Sequence, residues 1–292
     1  MKLIKNITLA TILGLSSLSA HTFWVSTIES FEHAPGHALV GLGWGHVLPF
    51  DDRINSGRVN VEEFSITSPN KEKTLLKIPK DEAIEATNET KNFEVFDANV
   101  GLQKIALKKD STQGTYLIHA KQKPTFYTNY IDTKDRKRIK LTTKDKIKDI
   151  KKVLFSVQWE GSGSTYLTIG KWSEQKATNK GFEIVPKSDL SNLKAGDTVE
   201  FEVLFYGKPY DSLAKKGEAK LTLFSNPRSQ GEGLSLTAPV KNGIAKFEVP
   251  SKGQWMLMAI LNQQVKKEGE LKDLHGKVNS VMFSSTLTLN VK

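Results

Sequence analysis

The sequence contains no cysteine in its 292 residues. This absence excludes a disulfide framework, a zinc ribbon, an iron–sulfur cluster, a catalytic thiol and covalently attached haem. Any metal ion must therefore be held by histidine, carboxylate, methionine or backbone groups. The chain has only six histidines and four methionines, so these candidate ligands can be considered one by one.

Long apolar runs are absent beyond residue 20, and amphipathic helical patterns of three turns are scarce. The hydrophobic share of 38% and the charged share of 25% are typical of a soluble globular protein, and they exclude collagen-like, coiled-coil and polytopic membrane classes. A chain of this length forms two domains or one large domain.

Residues 1–20 are predicted to be a secretory signal peptide. Lys2 and Lys5 precede a mostly apolar stretch at 7–15, and small residues fill 16–20. The stretch is too short to span a bilayer as a stable helix. We therefore expect the protein to be exported to a bacterial periplasm, with a mature chain that begins near residue 21.

Positive charge is concentrated at 134–152, where ten Lys or Arg and three Asp occur without interleaved aromatic residues. A nucleic-acid partner is not expected, because the protein is predicted to be exported and this segment has no side chains on which bases could stack. A solvated surface is the simpler interpretation of the segment. Attraction to an anionic membrane surface is the alternative.

The period of the hydrophobic residues predicts an all-β protein. In the run at 199–206, Val199, Phe201 and Val203 share one face of a half-buried strand. The same period of two recurs at 219–223, 245–249, 255–261 and 281–291. These runs predict an Ig-like β-sandwich domain over 176–292.

Residues 21–175 are predicted to form a first β-sandwich domain, and a polar segment at 172–181 is the expected linker. The predicted strands of this half lie at 38–48, 60–67, 101–107, 115–120, 153–159 and 165–170. Two glycine-rich segments, 41–45 and 161–164, lack the context of a dinucleotide cradle or a hydrolase elbow and are predicted to be turns or bulges.

His21 lies at the expected cleavage site. Cleavage after Ala20 would let the α-amine and the imidazole of His21 bind one metal ion together. Cleavage after Ser19 would instead place the amine, the His21 amide nitrogen and the imidazole around a square-planar ion, a geometry that suits Ni(II) and Cu(II). An α-amine with a pKa near 7.7–8.0 loses its proton to a metal ion readily at neutral pH.

Another side chain must complete the coordination. His46 lies in a turn-prone segment that ends in Asp51 and Asp52, which could orient its imidazole. His119 lies in a predicted strand and could reach a cleft from across a sheet. The predicted metal ligands are His21, His46 and His119, whereas His33, His37 and His275 have weaker support. Trp44 and Phe50 are interpreted as core or as a dry wall of the same site.

The order of several short motifs resembles the periplasmic components of cobalt and nickel uptake systems, a family of secreted β proteins long classed as a domain of unknown function. In the first half these motifs are Ala20-His21-Thr22-Phe23-Trp24, Ala34-Pro35-Gly36-His37 leading to Gly45-His46, and Pro124-Thr125-Phe126-Tyr127-Thr128. In the second half they are Gly181–Pro186, Ala195-Gly196-Asp197, Tyr206–Pro209 and Gly253-Gln254-Trp255.

The resemblance implies a periplasmic protein that binds a divalent transition metal, nickel or cobalt, and delivers it to a membrane transporter without catalysis. His21 and His46 match the family pattern and inherit the metal role, whereas His119 and His37 do not. Two alternatives remain open: a secreted adhesion or scaffold protein in which His21 is incidental, and a copper enzyme with a terminal-histidine brace.

Overall fold

The computed structural model describes residues 21–30, 32, 36–54, 59–80, 85–225 and 235–292. The predicted signal peptide at 1–20 and His33 lie outside these residues. The described part of the chain is built from strands, with three single 3₁₀ turns at Lys144–Lys146, Tyr210–Ser212 and Lys272–Leu274. The all-β sandwich prediction is confirmed. Within the described ranges, no helix has the length and apolar character needed to cross a membrane.

The strands are β1 (Thr22–Ser30), β2 (His37–Gly45), β3 (Val61–Thr67), β4 (Lys73–Leu75), β5 (Asn88–Glu89), β6 (Glu94–Val95), β7 (Gln103–Ala106), β8 (Gly114–Gln122), β9 (Thr125–Asp132), β10 (Lys137–Lys140), β11 (Ile150–Ile169), β12 (Phe182–Pro186), β13 (Thr198–Phe205), β14 (Lys208–Pro209), β15 (Lys220–Ser225), β16 (Ser235–Pro239), β17 (Ile244–Glu248), β18 (Gly253–Gln264) and β19 (Ser280–Val291).

One ten-stranded sheet runs through both halves of the chain. Its main path is β16-β15-β18-β19-β11-β8-β3-β4, while β9 pairs with β11 and β10 pairs with β9. The 20-residue β11 lies at the junction, parallel to β19 and antiparallel to β8 and β9. Smaller sheets are formed by β1-β2-β7, by β12-β13-β14 with β17 on β13, and by β5-β6.

The small sheet β1-β2-β7 stands on the ten-stranded sheet along β1. Thr286 and Thr288 of β19 donate side-chain hydrogen bonds of 2.8 and 2.5 Å to the carbonyl oxygens of Phe23 and Val25. β1 is an edge strand of its sheet, with β2 on one side. On the other side, these two hydroxyls provide hydrogen bonds in place of a neighbouring strand, so the buried carbonyl groups of β1 have partners. The start of β1 is thereby fixed in the middle of the molecule.

Two main hydrophobic cores lie in the molecule. The first contains side chains between 23 and 167, including Phe23, Trp44 and Phe64, and the second contains side chains between 182 and 291. A smaller cluster of Trp24, Leu48, Phe224 and Met256 joins the two halves. The predicted boundary between 21–175 and 176–292 therefore separates the two main cores along the chain, although the ten-stranded sheet crosses it.

The two glycine-rich segments predicted to be turns or bulges instead lie inside strands. Gly41–Gly45 belongs to β2, and 161–164 is in the middle of β11, which replaces two predicted strands by one. A Cβ on Gly163 would come within 2.9 Å of the Trp24 Cα. Gly163 therefore serves the close approach of β1 to β11, a long-range reason that local sequence patterns do not reveal.

Candidate metal centre

The hairpin of β1 and β2 brings His21 and His46 together. Its register places Thr22 opposite Gly45, which is the last pair of the two strands. His21 precedes Thr22 and His46 follows Gly45, so the two histidines lie side by side at this end of the hairpin. Their imidazole centroids lie 4.5 Å apart with an angle of 53° between the rings. The structure thus joins two of the three residues that the sequence predicted as ligands.

This spacing fits two imidazoles on one metal ion. Metal–nitrogen bonds of about 2.0–2.1 Å put each ring centroid roughly 3.2 Å from the ion, so two ligands at a right angle have centroids about 4.5 Å apart. Right angles between neighbouring ligands are the geometry of square-planar and octahedral sites.

Trp44 supports the ring of His21. The two rings are stacked, with centroids 5.4 Å apart and an interplanar angle of 22°. The indole Nε1 of Trp44 is buried and forms no hydrogen bond with the described residues. A buried donor without a partner is costly, so this N–H is available to an acceptor atom of a bound ligand.

The loop after β2 fixes the position of His46. The His46 backbone N–H donates to the Asp51 carboxylate at 2.6 Å, and the His46 Nδ1 lies 3.4 Å from the same oxygen. A carboxylate near Nδ1 favours a proton on that nitrogen and leaves Nε2 for a metal ion. Gly45 adopts a φ of +123°, and a Cβ there would overlap Asp51, so the glycine is required for this contact.

The same loop is tied back to β1. Trp24 Nε1 and Ser26 Oγ donate hydrogen bonds of 3.0 and 2.7 Å to the carbonyl oxygen of Pro49. The positions of His21 and of His46 therefore both depend on the packing of β1. Sulfur is also close to the start of β1, because the Met258 thioether accepts a 3.6 Å hydrogen bond from Thr22 Oγ1.

His119 lies on the other face of the ten-stranded sheet. Its neighbours in β8, Ile118 and Ala120, point into the first core with Phe23 and Trp44, and alternation turns His119 away from them. Burial lowers the pKa of its imidazole, and the positive charges of Lys73 and Lys121 lower it further against the opposing effect of Glu63. The structure does not bring His119 to His21 and His46.

Of the remaining described histidines, His37 is also remote from this pair. His37 begins β2, eight residues from Gly45, which corresponds to about 27 Å along a strand. His275 is exposed after a 3₁₀ turn. Within the described ranges, no three His, Asp or Glu side chains form a group that could hold a metal ion. A metal ion at His21 and His46 would thus need a further donor.

Two features of the site were not predicted from the sequence. Met258 is 236 residues from Thr22 along the chain, and no local signal connects them. The threonines of β19 that hold β1 are equally distant in sequence and resemble ordinary strand residues. Asp51 and Trp44, by contrast, lie close to His46 in the sequence, and both were predicted to lie at the site.

Comparison with known proteins gives a family for this chain. No curated protein matches the chain. The model of a domain of unknown function, DUF4198, matches residues 18–263, which is most of the chain and includes both histidines of the candidate centre. The chain belongs to the DUF4198 family.

Proposed function

We propose that this is a periplasmic protein that binds a divalent transition metal, nickel or cobalt, as cargo and delivers it to a membrane uptake system. The observation that carries the proposal is the 4.5 Å spacing of the His21 and His46 imidazoles at the predicted start of the mature chain. The resemblance of the sequence to periplasmic components of cobalt and nickel uptake systems supports the choice of these metals.

In a chain that begins at His21, three nitrogens would hold the ion: the α-amine and imidazole of His21, and the imidazole of His46. Each must be unprotonated to bind, so protons compete with the metal ion and affinity falls as the pH drops. No bond of a substrate is made or broken, and the ion leaves by exchange of ligands.

The position of the centre suits such an exchange. The His46 side chain is 45% exposed and that of Asp51 is 32% exposed, so a partner could reach the ion without unfolding the site. Trp44 covers one face of His21 and limits the approach to the remaining side.

The first experiment measures the start and the metal affinity of the exported protein. Intact mass should show a chain that begins at Ala20 or His21, and calorimetric titration should show one Ni(II) or Co(II) ion per chain with micromolar or tighter affinity. A start well beyond residue 21, or no stoichiometric binding, would contradict the proposal. Cu(II) and Zn(II) belong in the same series, since imidazole suits all four metals.

Histidine variants then locate the site. His21→Ala or His46→Ala should weaken binding by at least about 100-fold, because loss of even an outer-shell partner costs 10–100-fold. His275→Ala is the matched control and should leave binding unchanged. His119→Ala tests the third predicted ligand. A loss of affinity equal to that of His21→Ala or His46→Ala would contradict a centre formed by His21 and His46 without His119.

The copper enzyme remains a second candidate because of one contact. The Met258 thioether lies against Thr22, next to the chain start, and sulfur ligands favour copper. Copper-loaded protein with reductant-dependent oxidase activity would favour this candidate over metal delivery. If His21→Ala changed neither metal content nor uptake of any metal, the scaffold alternative would be preferred.

A further inference from the structure

A strongly basic surface lies at one end of the ten-stranded sheet. We call it the basic hairpin: β9, β10, the segment that follows them and the first residues of β11, which together are residues 125–152. Its part from 134 to 152 carries ten Lys or Arg against three Asp, a net charge of +7. The whole 292-residue chain has a net charge of +10, so much of its excess positive charge is concentrated in this segment.

Few of these cations are neutralised by the protein itself. Arg136 and Arg138 contact the buried carboxylate of Asp132, and two lysines pair with exposed aspartates. Within the part of the chain that the structure describes, no ion pair is formed by the side chains of Lys134, Lys137, Lys144, Lys148 and Lys152. The surface therefore presents a field of unpaired positive charge to its surroundings.

Exposed apolar side chains lie among these cations. Ile139 is 61% exposed, Leu141 is 57% exposed and Leu154 is 39% exposed. Ile139 lies two residues after Lys137 in β10, so the two side chains share one face of the strand. Lysines on an edge strand also prevent pairing with other chains, but that role does not require exposed Ile and Leu beside them.

We propose that the basic hairpin docks the protein on the anionic surface of a lipid bilayer. Clusters of cations next to apolar side chains suit this surface, because lipid headgroups attract the charges while the apolar groups enter the interface. The cations are spread over a strand, a turn and a loop rather than gathered around a cavity, so they match a broad sheet of charge better than one small anion. Docking does not depend on metal binding, and it would keep the protein near a membrane partner.

The test is co-sedimentation of the metal-free protein with vesicles of phosphatidylcholine, with and without 30% phosphatidylglycerol. Binding should require the anionic lipid and weaken as salt rises, since a screened charge attracts less. A triple variant, Lys137→Gln, Lys144→Gln and Lys152→Gln, should bind roughly 100-fold more weakly. Each cation near the membrane surface contributes about fivefold to the affinity, and three such factors multiply. Ile139→Ser with Leu141→Ser should also weaken binding.

The control removes the same charge elsewhere. Lys171, Lys194 and Lys252 are exposed and lie away from the basic hairpin, just after β11, shortly before β13 and just before β18. The triple variant in which these three lysines are replaced by Gln should bind as the unmodified protein does. An equal loss in this control would show attraction by total charge only and would overturn the proposal. Failure to bind anionic vesicles at low salt would do the same. The proposal would also be overturned if the protein bound a membrane protein in neutral lipid and this binding required the basic hairpin.

Discussion

At the scale of single residues, the closeness of His21, His46 and Asp51 could be anticipated from the sequence. The structure places the His21 and His46 rings side by side, and Asp51 contacts His46, from which only a short segment separates it. His119 was predicted as a ligand because it is also a histidine, but its environment depends on which face of the sheet its side chain occupies. That face is decided by packing of distant strands, which local alternation does not specify.

Asp132 provides a residue-scale prediction on pH. The backbone N–H of Arg136 donates to this carboxyl and lowers its pKa, with help from the Arg136 side chain and the Lys134 backbone N–H, although burial opposes them. A lowered pKa in the folded state adds stability that is present above the unfolded value, near 3.9, and lost as the pH falls below it.

We therefore expect Asp132→Asn to lower the urea midpoint at pH 7, with a difference from the unmodified protein that shrinks as the pH falls from about 4 towards 2. Asp135→Asn is the control. It removes a carboxylate that is 71% exposed and pairs only with Lys151 among the described residues, so its effect should stay within about 0.5 kcal/mol. A constant difference at all pH values for Asp132→Asn would contradict the assigned charge effect.

At the scale of elements, the period of hydrophobic residues located most of the strands. The predicted runs at 199–206, 245–249 and 281–291 correspond to β13, β17 and β19 within one or two residues. The length of β11 was missed, because the glycines at 161 and 163 suggested a turn there. Those glycines are explained by the neighbouring β1 and Gln122, whose side-chain oxygen would be 2.7 Å from a Cβ on Gly161.

The attachment of β1 gives the prediction at this scale. Thr286→Val keeps the shape of the side chain but removes its hydrogen bonds to the carbonyl oxygens of Phe23 and Ser162, so a buried acceptor loses its partner. We expect a loss of about 1–2 kcal/mol in the free energy of unfolding by urea. Metal affinity should fall with it, because the strand that carries His21 becomes less fixed.

Thr237→Val on the edge strand β16 is the matched control, since Thr237 is exposed. It should change neither stability by more than about 0.5 kcal/mol nor metal affinity. Equal stability losses in both variants would show that a general preference for threonine, rather than the contact with β1, explains the effect.

At the scale of the whole molecule, two hydrophobic cores are joined by one sheet. The sequence indicated two domains from the change in strand regularity and the polar segment at 172–181. It could not show that β11 from the first half pairs with β19 from the second, because parallel pairing over such a separation leaves no local signal. The cluster around Trp24 and Met256 adds a second connection between the halves.

We expect the protein to unfold in a single transition. Leu257→Ala, at a fully buried position of the second core, should lower the free energy of unfolding by about 2–5 kcal/mol. Hydrogen exchange should then show reduced protection in β8 of the first core as well as in β18. If β8 kept its full protection while β18 lost it, the two halves would be independent folding units.

The burial of β1 has a practical consequence for anyone who handles the protein. His21 directly precedes β1, which begins at Thr22, pairs with β2 and accepts a hydrogen bond from Thr286 of β19, so His21 is joined to the interior without an intervening loop. If the mature chain begins at His21 as proposed, a purification tag fused ahead of it would remove the free α-amine and crowd Trp44. A tag should therefore follow Lys292, and affinities should be compared on chains that begin where intact mass places the start of the exported protein.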